Sequence, residues 1–296
     1  MGMSTRHIIT TRRDAMITHA PTRASRTRRS FSAALCLSAA LLTGGSALAA
    51  GSSDTDAERL ERWKEISTSI FGDRAIEATD TLIKVDAPPR ALDAALVPIT
   101  LMMPEKDRIA AIHLVIDDNP SPYAAHITFG PAADPNEIKL RVRINNYTNV
   151  HAVAETKDGK LYEAVKFVKA SGGCSAPMGM SDEEALKGAG DMRMKFAEGG
   201  QGKPTEATLM IRHPNFSGMQ MNQITRDYTP ARYINKLDVT ANGTLVFSMN
   251  GDISIASNPV INFGLAPDAK GPIKVVASDN QQGRWEHSFN PPGPSN

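Results

Sequence analysis

The chain has 296 residues with 33 Lys and Arg against 32 Asp and Glu, a formal net charge of +1, and 5% aromatic residues. That balance leaves no basic stripe with interleaved aromatics, so the composition argues against a nucleic-acid partner. The length suits one or two domains of ordinary size.

Residues 1–49 read as an export signal. Arg6, Arg12, Arg13, Arg23, Arg26, Arg28 and Arg29 face only Asp14, an apolar run follows from Phe31 to Leu42, and Ala47-Leu48-Ala49 offers cleavage before Ala50. The run is too short and too rich in alanine for a membrane anchor. Thr27-Arg28-Arg29-Ser30-Phe31 resembles the twin-arginine export pattern, so the expected location is the periplasm. Cys36 lies at the start of the apolar run after Leu35, the wrong place for an acylated cysteine. Cleavage would remove seven basic residues and one acidic residue, turning +1 into −5.

Beyond the leader, Thr55 and Glu58 have capping-box spacing, and Leu60, Trp63, Ile66 and Ile70 recur on one face until Phe71-Gly72. This predicts a short N-terminal helix with Trp63 as its core anchor. The period then becomes two. Strands are expected at 81–85, 96–102, 109–117 and 126–129, separated by Pro-rich turns. In Ile138 to Ile144 the apolar residues alternate with Lys139, Arg141 and Arg143, which reads as a strand with one dry and one solvated face. A hairpin over 149–169 turns at Lys157-Asp158-Gly159-Lys160.

A second block starts near Asp191. Met192, Met194 and Phe196 alternate, and strands are expected at 207–211, 236–240, 245–248, 252–256, 260–265, 273–277 and 284–289, with Asn242-Gly243 as a hairpin turn. Short strands without βαβ alternation predict an all-β protein of two immunoglobulin-like β-sandwich domains preceded by the short helix. The expected division is a signal at 1–49, a first domain at 50–174, a linker at 175–190 and a second domain at 191–296.

Cys174 is the single cysteine left after cleavage, and it sits in Ser171-Gly172-Gly173-Cys174-Ser175-Ala176-Pro177 between the two blocks. Two glycines before it suggest a thiol presented on a mobile arm, with Gly172 and Gly173 as the hinge. Five extended residues would reach roughly 17 Å. Lys166 and Lys169 are the candidate thiolate stabilisers nearby in the chain. His113, His126, His151, His213 and His287 show no metal-ligand spacing, so neither a metal nor another cofactor is expected. Met178 and Met180 read as an apolar linker, Met192 and Met194 as strand packing.

The first block resembles SoxY, the sulfur-compound carrier of the periplasmic Sox system. The resemblance rests on Phe71-Gly72-Asp73, Ala87-Pro88-Pro89-Arg90-Ala91, Val97-Pro98-Ile99, Asp118-Asn119-Pro120-Ser121-Pro122 and Gly172-Gly173-Cys174. The second block resembles SoxZ through Ile211-Arg212-His213-Pro214, Ser217-Gly218-Met219, Ser257-Asn258-Pro259, Phe263 and Asp279-Asn280. Together they look like a SoxY–SoxZ fusion of the type associated with quinoprotein dehydrogenases. In the family the carrier cysteine lies in a Gly-Gly-Cys-Gly-Gly tail at a free C-terminus, whereas Cys174 is followed by Ser175-Ala176-Pro177 and a second domain.

The resemblance implies a non-enzymatic carrier that holds a sulfur-containing intermediate, as in thiosulfate oxidation, on Cys174. Its partners would be sulfur-oxidising enzymes or c-type cytochromes, with His213, Pro214 and Gly218 as the candidate partner surface. The alternative is a non-covalent accessory or maturation protein for a quinoprotein dehydrogenase. A third reading, a thiol-dependent enzyme pairing Cys174 with a histidine, depends on the fold bringing the two together.

Overall fold

The computed structural model describes residues 54–197, 205–223 and 225–291; the export signal, its cleavage site and Cys36 lie outside them. Helix α1 (Asp56–Phe71) begins at the expected capping box, where Thr55 accepts from the Glu58 N–H and the Glu58 carboxylate accepts from the Thr55 N–H at 2.7 Å. Gly72, at φ +66, stops it. Trp63, Ile66, Ile70 and Phe71 pack on the sheet, while Leu60 stays exposed.

The first half supplies β1 (Ile76–Ala78), β2 (Lys84–Asp86), β3 (Val97–Met102), β4 (Ile109–Ile116), β5 (Tyr123–Phe129), β6 (Ala133–Val142), β7 (Thr148–Thr156) and β8 (Leu161–Val168). After a one-turn helix, α2 (Asp182–Leu186), the second half supplies β9 (Met192–Ala197), β10 (Thr205–Ile211), β11 (Ile234–Ala241), β12 (Thr244–Gly251), β13 (Val260–Leu265), β14 (Ile273–Asp279) and β15 (Arg284–Phe289). The fold is all-β, as expected, with β1 and α2 as additions. The segment expected as a strand at 252–256 is instead a turn carrying one bridge, Ile255 to Val142.

The strands form two sheets. The larger runs β1-β8-β7-β4-β5-β12-β11-β14-β15 and the smaller β2-β3-β6-β13-β10-β9. Each half therefore contributes to both layers, and the halves meet edge to edge twice. In the larger sheet β5 pairs antiparallel with β12, Phe129 opposite Phe247; in the smaller, β6 pairs with β13, Ile138 opposite Phe263. Gly264 lets this second junction close, because a Cβ there would lie 2.5 Å from the Asp134 carbonyl oxygen.

One core runs through both halves, from Ile99, Leu114 and Val142 to Leu209, Phe247 and Phe263. The last two meet edge to face with centroids 5.0 Å apart, an arrangement worth about 1 kcal/mol beyond their burial. β4 and β7 are buried along nearly their whole length because each has both faces covered. Ile112, Leu114 and Ala152 face this core, whereas Val115 and Val153 face Trp63 and Phe71 of α1. Among the described residues no helix is long and apolar enough to cross a membrane.

Candidate functional site: a cysteine lodged between the two halves

The strand period ends at Val142, and the chain then drops into the junction. Lys139 and Arg141 are exposed as the alternation predicts, but Arg143 is only 1% exposed. Its N–H donates to Ser254 O at 2.7 Å, so the backbone pairs across to the second half. Its guanidinium donates to Ile255 O and Pro214 O, both at 3.3 Å, the long end for such bonds. Nε has no partner, and no carboxylate among the described residues lies within ion-pair distance of it. The reading of Arg143 as part of a solvated face is thus corrected: the residue lies past the end of β6, where alternation no longer sets its direction.

The Gly-Gly-Cys segment folds against the residues that follow Arg143. Gly172 takes φ +75 and donates to Asn145 O at 2.8 Å, and Gly173 donates to Ile144 O at 3.1 Å. A Cβ on Gly173 would stand 2.0 Å from Ala94 O and 2.6 Å from Ile144 O. Ser175 closes the turn by donating to Gly172 O at 3.2 Å. Cys174 is fully buried, and its carbonyl accepts from Ser217 Oγ of the second half. The expected exposed thiol on a mobile arm is therefore not what the structure holds. In this closed arrangement the glycines seat the turn, Gly172 supplying its left-handed φ and Gly173 a contact too close for a side chain.

Burial pushes the Cys174 thiol up to about 11, with the Arg143 charge pulling the other way. Burial pulls the Arg143 guanidinium down to about 10, partly offset by Cys174 and by the exposed Asp93. At neutral pH the pair is thus a protonated thiol beside a buried cation. The charge that reaches Cys174 is Arg143's; Lys166 and Lys169 do not contribute to it.

The wall from the second half is rigidly built. His213 is fully buried, its Nδ1 2.7 Å from Asn215 Oδ1 and its Nε2 3.5 Å from Asp279 Oδ2, and Arg232 Nε donates to the same carboxylate oxygen at 2.7 Å. Burial pushes the Asp279 carboxyl up, but bonds from Arg232 and the N–H groups of Gly283 and Gln281 outweigh it, and the net shift is down. Asn215, at φ +44, ties the loop to Ile255 O and Ala256 O. Ser217 N–H donates to Gln220 Oε1 at 2.9 Å, and Gly218 makes the turn between them at φ +84. Of the expected partner surface, His213 and Pro214 are buried and only Gly218 is partly exposed. The two buried residues form the internal scaffold of the cysteine site, because their ring atoms and carbonyls are consumed by contacts inside the molecule.

Asn119 completes the link. Its Nδ2 donates to Arg143 O at 2.7 Å and Ser254 Oγ at 2.8 Å, and its Oδ1 accepts from Asn145 N–H at 2.8 Å. Beyond the turn, a cleft of about 280 Å³ is lined by Pro177, Met178, Met180, Phe216 and Gln220. A second, of about 570 Å³, lies along Met178, Met180, Arg193, Arg212 and Pro214.

The remaining histidines are engaged elsewhere. His151 bonds Asp117 and Glu163, both at 3.1 Å, and stacks on Trp63; His113 stacks on His126 at 4.5 Å. None is brought into hydrogen-bond contact with Cys174 among the described residues, so the nucleophile pair does not form. No group of three His, Cys, Asp or Glu among those residues is placed to hold a metal ion. Arg143, Ser217 and Gln220 are site residues that sequence reasoning missed. The period of β6 hid the first; Ser217 opens a motif read only for its family likeness, and nothing local marks Gln220 beyond following that motif.

Residues 67–174 match the family model for the sulfur oxidation protein SoxY, and residues 192–290 match that for the sulphur oxidation protein SoxZ. Among solved structures, the sulfur carrier protein SoxY from Chlorobium limicola f thiosulfatophilum shares 29% identity over 38% of this chain and 96% of its own, with a TM-score of 0.34. A superoxide reductase (neelaredoxin) from Ignicoccus hospitalis shares 15% identity over 32% of this chain and 93% of its own, with a TM-score of 0.29. Superpositions this loose add nothing to the architecture read from the strands. Comparison with curated proteins returns no match.

Proposed function

The chain belongs to the SoxY and SoxZ families, one stretch of each in a single polypeptide, and from that premise we propose that it is a sulfur-oxidation carrier holding its cargo covalently on Cys174. The observation that carries this reading is that the SoxY match ends on Cys174, the residue lodged between the two matched stretches. The protein is a carrier and not an enzyme, exported by the signal at 1–49 to the periplasm, where sulfur-oxidising enzymes or c-type cytochromes load and unload it.

Burial sets how it works. Transfer requires the turn at 172–175 to lift, with Gly172 and Gly173 as hinge, breaking the bonds to Asn145, Ile144 and Ser217. At about 1 kcal/mol net for each bond, opening costs a few kcal/mol. A gap of that size leaves the open form populated at roughly 0.1–10%. Leu92, Leu96 and Tyr147 are exposed on the two segments that grip the glycines, which suits them to receive a partner when the turn lifts.

Intact mass of protein from its native periplasm tests the reading. Wild type should carry an added sulfur-containing mass that reductant removes, Cys174→Ser should not, and a wild type that never carries one sinks the proposal. N-terminal sequencing should begin near Ala50; an intact Arg28-Arg29 segment would overturn export. The burial of Cys174 favours one second reading, a non-covalent accessory of a quinoprotein dehydrogenase, and such a protein would keep its activity in Cys174→Ser.

A further inference from the structure

The methionines divide by exposure. Met103, Met249 and Met192 are 0%, 1% and 8% exposed and pack the core. Met178 and Met221 are half-buried and Met180 is 50% exposed, so core packing does not account for them. All three line one cleft of about 280 Å³ beside α2, Met178 and Met180 from the segment before that helix and Met221 from the loop between β10 and β11. Gly179, at φ +73, turns the chain between the first two in open space. A single carboxylate, Asp182, lines the cleft, and its Oδ2 already accepts from the Thr229 hydroxyl at 2.9 Å, so the cleft does not suit a hard cation, which takes about six or more oxygens. Thioether sulfur is a soft donor that selects Cu(I). It belongs to none of the donor types whose threefold groups are absent among the described residues.

We infer that Met178, Met180 and Met221 form a thioether site for one Cu(I) ion. Each methionine has three rotatable bonds, so the sulfurs can close on an ion smaller than the cleft. Asp182 places one negative charge beside a monovalent cation, and Phe216, 2% exposed, lines the same cleft with the apolar surface that limits water at such a site. Binding is coordination alone: each sulfur donates a lone pair, no bond breaks, and no electron or proton is transferred. The site goes beyond the carrier reading and does not use the Cys174 thiol.

The test uses the full mature chain carrying Cys174→Ser, which removes the thiol as a competing ligand. It is titrated without oxygen against the coloured Cu(I) complex of bicinchoninate. One Cu(I) per chain should be withdrawn from the indicator, and Ag(I), which is equally soft, should displace it where Zn(II) does not. A thioether carries no proton, so the affinity, corrected for the indicator, should be the same at pH 5 and pH 8. A thiolate or imidazole ligand would lose about tenfold per pH unit below its pKa.

Met178→Leu, Met180→Leu and Met221→Leu nearly conserve side-chain volume and should each weaken Cu(I) binding by at least about tenfold, whereas Met249→Leu, in the core, should leave it unchanged. No copper withdrawn from the indicator, an affinity that the three replacements together leave intact, or one that climbs with pH overturns the inference. Should Cys174→Ser or a leucine variant not fold, wild type decides: copper uptake at pH 5 equal to that at pH 8 supports the site, and uptake lost at pH 5 overturns it. Failure of the carrier reading looks different, as native protein without a reductant-removable mass on Cys174 that still binds Cu(I).

Discussion

Replacing Gly173 by alanine would put a methyl group 2.0 Å from the Ala94 carbonyl oxygen, with nothing soft in between. The turn would have to move, so Gly173→Ala should destabilise by about 1–3 kcal/mol and raise the rate at which a maleimide labels Cys174 in native protein. Equal labelling of variant and wild type would show that the contact does not hold the thiol in. In wild type, labelling should be slow compared with an unfolded control, and should rise about tenfold per pH unit until the thiol titrates near 11. The sign for stability follows. Between its ordinary value of 9.0 and about 11 the unfolded chain has lost a proton that the folded chain keeps, so stability falls as pH rises through that window. Its isolation among glycines singled Cys174 out in the sequence. That it is buried was not legible there, since two glycines in sequence serve a loose hinge and a tight contact equally well. Arg143 was misread for a related reason: alternation describes a residue only while the strand lasts.

At the level of elements, α1 is held by more than its apolar face. Trp63 lies flat on His151 with ring centroids 3.7 Å apart, and that imidazole is clamped between Asp117 and Glu163. Burial pulls its pKa down, but the two carboxylate bonds outweigh this and the net shift is up. A raised folded pKa stabilises fully below the unfolded value of about 6.5, and the contribution is lost as pH rises through the folded value. The melting difference between wild type and His151→Gln should therefore be larger at pH 5 than at pH 9; a difference that grows with pH would contradict the clamp. Trp63→Ala should cost about 3–5 kcal/mol in denaturant unfolding. The helix and its capping box were plain in the sequence because both are local. The segment at 252–256 looked like a strand by composition, yet it pairs at Ile255 alone and gives its carbonyls to Arg143 and Asn215.

At the scale of the whole molecule the two halves share both sheets. Because β5 joins β12 and β6 joins β13, both layers of the sandwich cross the boundary between the SoxY and SoxZ stretches. Thermal unfolding should show one cooperative transition, and protease cuts confined to 175–190 should leave the halves co-eluting. Two separated transitions, or fragments that part on a sizing column, would contradict the shared sheets. Produced alone, each half would expose unpaired edges from both sheets and should aggregate. Strand pattern and turn chemistry revealed two blocks and their order. Edge-to-edge joining is a pairing between strands more than a hundred residues apart, and no local period encodes it.

The packing around Cys174 takes Arg143 from one half and the carbonyls of Pro214 and Ile255, with Ser217, from the other. Had these been separate subunits, that packing would exist only to the extent that they associate, and dilution would dismantle it. Covalent continuity replaces that bimolecular step with an effective concentration in the millimolar range for a short connection. The enclosure is therefore indifferent to how much protein the cell makes, and its integrity at nanomolar levels should equal that at micromolar ones.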